Sequence, residues 1–145
     1  MSNQSFNQEK GIAGEDAASR YLRQQGYRLV TRNFKGRHGE IDIIAVRDRV
    51  LHFVEVKNRT GNLIPGRFAV NAAKQKHLRD TAQFFIVRNP QWADYLMSFD
   101  VIEITDGNLE FLENCFYWNN ANSNKSKLLT ALQLALVRRT MSAKA

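Results

Sequence analysis

The sequence predicts an α/β protein, and three observations carry that expectation. Residues 39–58, GEIDIIAVRDRVLHFVEVKN, alternate apolar and polar positions with period two on either side of a short turn, as two paired strands do. Helix-prone segments stand before and after this hairpin, at residues 7–25 and 67–88. Beyond the second helix, residues 97–105 (MSFDVIEIT) and 108–118 alternate again around an Asp106-Gly107 turn.

In the first helix Ala13, Ala17 and Tyr21 recur four apart on one side, and Gly26 supplies a stop. Glu15 lies off that stripe, where the helix dipole and solvent suit a carboxylate. Residues 27–34 (YRLVTRNF) form a first strand, followed by the basic loop Lys35-Gly36-Arg37-His38-Gly39. That loop delivers the chain to Glu40, so Lys35, Arg37 and His38 are expected beside the hairpin's acidic end, where a phosphate backbone would meet them.

The hairpin fixes its own register. With Asp48-Arg49 as a two-residue loop, Arg47 faces Val50, Ile44 faces Phe53, Asp42 faces Glu55 and Glu40 faces Lys57. A loop one residue longer or shorter would set Asp42 beside a valine and break the apolar pattern. One face then carries Ile41, Ile43, Val54 and Val56; the other is apolar near the turn and charged at the far end. This is a buried sheet with a polar cleft at one end.

After the loop at residues 58–66, the second helix places Val70, Ala73, Leu78, Ala82, Phe85 and Ile86 near helical spacing, and Asn89-Pro90 ends it. Its Lys74, Lys76 and Arg79 suit a solvated face. The polar stretch 119–127 is a linker, and the apolar helix at residues 128–139 docks on its own domain, on a second copy or on a lipid surface, in that order of preference. The expected organisation is a domain over residues 1–118, the linker, and a helical extension over 128–145.

The formal charge of +7 favours polyanionic partners such as nucleic acid, and serves solubility equally well. Cys115 is the sole cysteine, so no internal disulfide forms. The N-terminus lacks the apolar core of a signal peptide and no apolar run is long enough for a membrane span, which leads to the expectation of a cytoplasmic protein.

Two carboxylates on facing strands repel unless something neutralises them. Asp42 and Glu55, with the carbonyl of Val56, offer hard oxygen ligands suited to Mg²⁺. Lys57, on the same face as Glu55, is placed to orient or deprotonate an attacking water and to offset charge on a phosphoryl group. Glu40 would tune Lys57 or hold a water of the metal. The competing reading makes Asp42, Glu55 and Lys57 a structural ion-pair network at a sheet edge. Zinc chemistry is disfavoured by one cysteine and three scattered histidines, and no phosphate-binding loop, dinucleotide fingerprint or nucleophile elbow occurs.

GEID with Asp42 and FVEVKNR with Glu55 and Lys57, together with Gly11, Gly14-Glu15, Tyr21-Leu22, Gly26-Tyr27, Arg32-Asn33, Arg59 and Lys74, resemble the YraN-like family of uncharacterised bacterial proteins. That family belongs to the restriction-endonuclease-like (PD-(D/E)xK) nuclease superfamily and is distantly similar to archaeal Holliday-junction resolvases. The resemblance covers about residues 8–118. It implies an αβββαβ core with a mixed central sheet flanked by helices, and makes Glu15 the helix-borne acid of the site. It also implies that Asp42, Glu55 and Lys57 bind Mg²⁺ or Mn²⁺ and assist hydrolysis, with Arg59 and Lys74 on the nucleic acid. Ile41 replaces the proline of the superfamily's name, and the tail from residue 119 lies outside the resemblance. The expected function is a Mg²⁺-dependent endonuclease acting on DNA, branched or processed, with homodimerisation as an analogy to resolvases. The alternatives are a nucleic-acid-binding module that keeps the fold without cleaving, and a structural adaptor using the terminal helix.

Overall fold

The structure, a computed structural model, describes residues 2–61 and 71–116. Its elements run α1 (Asn3–Gln24), β1 (Arg28–Lys35), β2 (Glu40–Arg47), β3 (Val50–Arg59), α2 (Ala72–Arg88), β4 (Leu96–Thr105) and β5 (Asn108–Phe116), with a 3₁₀ turn at Pro90–Trp92. The strands form one mixed sheet in the order β1-β2-β3-β4-β5. Consecutive strands joined by short loops pair antiparallel, whereas β3 and β4 are parallel because α2 carries the chain back between them. The predicted linker at 119–127, the extension at 128–145, Val70 and most of the 58–66 loop lie outside the described residues.

Each helix covers one face of the sheet. Leu78, Ala82 and Phe85 of α2 pack on Ile44, Val46, Leu51, Phe53, Phe99 and Val101. Ala18 and Leu22 of α1 pack on Ile43, Ala45, Val54, Ile102 and Ile104. Coverage on both faces explains why β2 and β4 carry near-continuous apolar runs. Tyr27 starts the sheet beneath α1, and Trp92 closes the α2 side. No helix among the described residues is long and apolar enough to cross a membrane.

The buried stripe of α1 is Gly14, Ala18 and Leu22, one residue on from the predicted one; Ala17 and Tyr21 flank it and Ala13 is exposed. The offset has a steric cause. A Cβ built on Gly14 would lie 2.9 Å from the Cβ of Asn58, so only glycine lets the helix come this close to β3. Asn58 secures the crossing by donating from Nδ2 to the Lys10 carbonyl at 3.0 Å.

The hairpin has the expected register from Arg47↔Val50 to Ile43↔Val54. Its loop residues Asp48 and Arg49 both have positive φ, 51° and 60°, as a type I′ turn requires. The regular ladder then stops. Alternation would next set the Val56 N–H against the Ile41 carbonyl, but that N–H donates to Asp42 Oδ2 at 2.8 Å. Ile41 correspondingly leaves the face of Ile43 and joins the α2-side core, correcting the expectation that both occupy one face throughout. The two strands part at Asp42, and the opening between them is the start of the cleft.

Under α1, buried Asp100 contacts His52 and accepts from Ser98 Oγ and from the Asn114 N–H at 3.0 Å. Asn114 itself has φ 53° within β5. Asp100 thus satisfies backbone that the bulge in β5 takes out of the ladder.

Candidate active site

A cleft of about 470 Å³ opens where β2 and β3 diverge, walled on one side by the N-terminal half of α1. Glu15, Asp42, Glu55, Val56, Lys57 and Arg59 all line it. β2 supplies Asp42, β3 supplies Glu55 and Lys57 from alternate positions of one strand, and α1 supplies Glu15 because Gly14 lets that turn of helix press on Asn58. Arg32 of β1 fixes the helix from below, reaching Asp16 at 2.8 Å and Glu15 at 3.4 Å. Those two carboxylates, the Asp16 bond foremost, raise the guanidinium's pKa against the effect of burial.

Carboxylate oxygens of Glu15, Glu40 and Asp42 all lie within 4.8 Å of one another. Burial, and next the charge of Glu55, push Asp42 up to about 7, while the Val56 N–H pulls the other way. Asp42 therefore stands among three further acids with one backbone donor against it. Oxygen-only donors at this spacing suit Mg²⁺ or Mn²⁺, so Glu15, Glu40 and Asp42 fit a hard divalent cation, whereas the expected ligand Glu55 is not one of that trio and is paired with lysines.

The cationic side of the cleft converges on Glu55, which is 8% exposed. Lys74 Nζ lies 2.7 Å and Lys57 Nζ 3.2 Å from the same oxygen, Oε1. Burial lowers the pKa of Lys57 and neighbouring Lys74 adds to the fall, outweighing the attraction of Glu55. For Lys74 burial acts in the same downward sense, but its bond to Glu55 prevails and the pKa is raised. The two lysines are thereby differentiated: Lys57 gives up its proton more readily, and Lys74 remains the charged partner.

Lys74 is at the third position of α2, whose N-cap Asn71 accepts from the Lys74 N–H at 2.9 Å. A cation in the first turn opposes the helix dipole, so the ion pair rather than the helix accounts for it. The solvated-face reading of Lys74 is corrected accordingly.

Two further placements differ from expectation. Glu40 joins Glu15 and Asp42 instead of facing Lys57, because the ladder ends before that rung. Arg37 and His38 lean toward α2, where they line a separate cleft with Asp80, Thr81 and Phe84. Lys35 pairs with Glu40 across β1 and β2 and is exposed. Sequence reasoning assigned no role to Arg32 or Asn58. A basic residue inside β1 and a glycine within the helix were the available signals.

The fold and site define an α/β protein with an acidic, lysine-bearing cleft at the parting of two central strands. Residues 14–104 match the uncharacterised protein family UPF0102, and the chain belongs to that family. Relatives carry the same name: a UPF0102 protein of Clostridium tetani (strain Massachusetts / E88) is 44% identical over 72% of this chain and 85% of its own length. One from Rhodopseudomonas palustris (strain ATCC BAA-98 / CGA009) is 42% identical over 65% of this chain and 72% of the relative. One from Campylobacter concisus (strain 13826) is 36% identical over 72% and 90%. The matched span includes Glu15, Glu40, Asp42, Glu55, Lys57 and Lys74.

Proposed function

We propose that this chain is a metal-dependent endonuclease that hydrolyses phosphodiester bonds in DNA. The observation that carries the reading is the convergence, on the parting of β2 and β3, of an under-compensated aspartate, three further acids and two unequal lysines. The element order supports it: a helix, three antiparallel strands, a crossover helix and a parallel strand are what a restriction-endonuclease-like core requires.

Asp42 and Glu55, with the Val56 carbonyl, would hold Mg²⁺ or Mn²⁺, and Glu15 and Glu40 would hold its waters. When bound, the ion supplies Lewis acidity to a phosphoryl oxygen and makes a water more acidic. Lys57, its pKa lowered, accepts the proton of the attacking water or stabilises charge on the phosphoryl oxygens. Lys74 neutralises Glu55, and would be free to meet a phosphate if a bound cation took over that carboxylate. Arg59 lines the same cleft and Lys35 stands at its acidic end, both suited to the backbone of the nucleic acid.

A second reading rests on the same ion pairs. Glu55 is matched by Lys57 and Lys74 with no cation required, which also suits a nucleic-acid-binding module that does not cleave. The deciding assay incubates the protein with Mg²⁺ or Mn²⁺ and single-stranded, duplex, flapped and four-way DNA plus RNA, beside Asp42→Asn and Lys57→Ala. Cleavage lost in both variants supports hydrolysis at this site. Binding without cleavage across the panel selects the second reading.

A further inference from the structure

The loop between β1 and β2 is built against α2, and the cleft between them, of about 360 Å³, is separate from the acidic one. The Gly36 N–H donates to the Gly39 carbonyl at 2.8 Å and closes the loop. A Cβ on Gly36 would meet Thr81 side-chain atoms at 3.0 Å, so glycine at this point allows the loop to seat on the helix. The seating brings His38 over His77, with ring centroids 6.3 Å apart and planes 27° from parallel. Two turns beyond His77, half-buried Phe84 lies 6.0 Å from Phe34 and beneath the Arg88 guanidinium at 4.6 Å.

These helix residues form one row, in which Thr81, buried beneath the seated loop, carries the loop's Arg37 and His38, and Lys74, His77, Phe84 and Arg88 are the members open to a ligand. Lys74, His77, Thr81, Phe84 and Arg88 recur at alternating three- and four-residue spacing, along a single face of α2. The row starts at Lys74 on Glu55 of the acidic cleft and leads away past the stacked imidazoles to the phenyl ring.

We propose that this row is a track for a single-stranded nucleic-acid segment running from the acidic cleft, with an unstacked base held between Arg37, Asp80 and Phe84. Flat aromatic and imidazole faces stack on bases of any sequence, and a paired duplex does not present those base faces. Arg37 and Arg88 supply positive charge for the phosphates. The Asp80 carboxylate, 3.8 Å from Lys76, accepts from an exocyclic amine or ring N–H of the base. The inference rests on the reading of the chain as a protein that acts on nucleic acid, and it narrows the substrate to one with a single-stranded arm beside the cut.

The test measures affinity by fluorescence anisotropy in the presence of a chelator, so that hydrolysis plays no part. The full chain is titrated against a blunt duplex and against the same duplex bearing a short single-stranded tail, of DNA in one arm and RNA in the other. A tail of either sugar should tighten binding by roughly tenfold, the scale of one base–aromatic stack. Phe84→Ala should remove that gain, and so should His77→Ala, whose side chain is exposed and leaves the fold intact. A tail without effect, or a gain retained in His77→Ala, overturns the proposal. Tail-dependent binding by a protein that never cleaves would refute hydrolysis alone, whereas cleavage with tail-independent binding would refute the track alone.

Discussion

Lys74 Nζ stands 2.7 Å from Glu55 Oε1, joining the first turn of α2 to the middle strand of the sheet. The lysine thereby occupies an oxygen that a metal would use. Replacing Lys74 by Met should lower the metal-free stability by about 1 kcal/mol, since Glu55 keeps Lys57. The same change should strengthen Mn²⁺ binding several-fold by removing the competitor. Calorimetric titration reads both effects, and a weaker Mn²⁺ affinity would show that Lys74 supports the cation site instead of competing with it.

Asp42 sets the pH dependence. Its folded pKa of about 7 stands above the unfolded value, so it binds a proton in the folded state through the interval that the unfolded chain does not. Stability from this group is full at low pH and falls as pH rises from the normal aspartate range to about 7. Asp42→Asn should flatten that fall and raise metal-free stability above pH 7 by on the order of 2 kcal/mol. Cation affinity runs the other way, increasing between pH 6 and 8 in the wild type and vanishing in Asp42→Asn. Melting curves and Mn²⁺ titrations across that range check both signs.

Lys57 should reveal its role in kinetics. Loss of a general base costs about 10²–10⁴ in rate. Lys57→Ala should lose turnover on that scale while keeping DNA affinity, and Lys57→Arg should fail to restore it, because a guanidinium does not release its proton. Restoration by arginine would assign Lys57 a purely electrostatic role.

Two glycines of one helix should respond oppositely to alanine. Gly11 has nothing within 4 Å of a built Cβ, so Gly11→Ala should stabilise by about 0.5–1 kcal/mol through helix propensity. Gly14→Ala meets Asn58 and should destabilise by about 1–3 kcal/mol while shifting Glu15 out of the cleft. Denaturant melts of the two variants decide it; equal effects would mean α1 is free to slide on β3.

The hairpin was legible because three constraints agree at one register: alternation on both strands, a two-residue loop and unbroken apolar faces. That register put Asp42 and Glu55 on adjacent strands at one cleft, although the ladder stops one rung short of pairing them. The helices and outer strands were legible from helix stop signals, turn dipeptides and periodicity, with starts displaced by a few residues because the caps Ser2 and Asn71 were not read. The α1 stripe was misplaced by one residue, since spacing does not reveal that a glycine must face Asn58.

What the sequence alone determined is the order of elements, the pairing of the central strands and the meeting of Asp42, Glu55 and Lys57, all of which follow from local periodicity. Only the tertiary structure decided what surrounds them. The end of the β2–β3 ladder sent Glu40 to Asp42, the crossover brought Lys74 onto Glu55, and the close crossing of α1 aimed Glu15 into the cleft. It also turned Arg37 and His38 toward α2. Each of these depends on where one element packs against another far along the chain, and no periodicity within a segment encodes that distance.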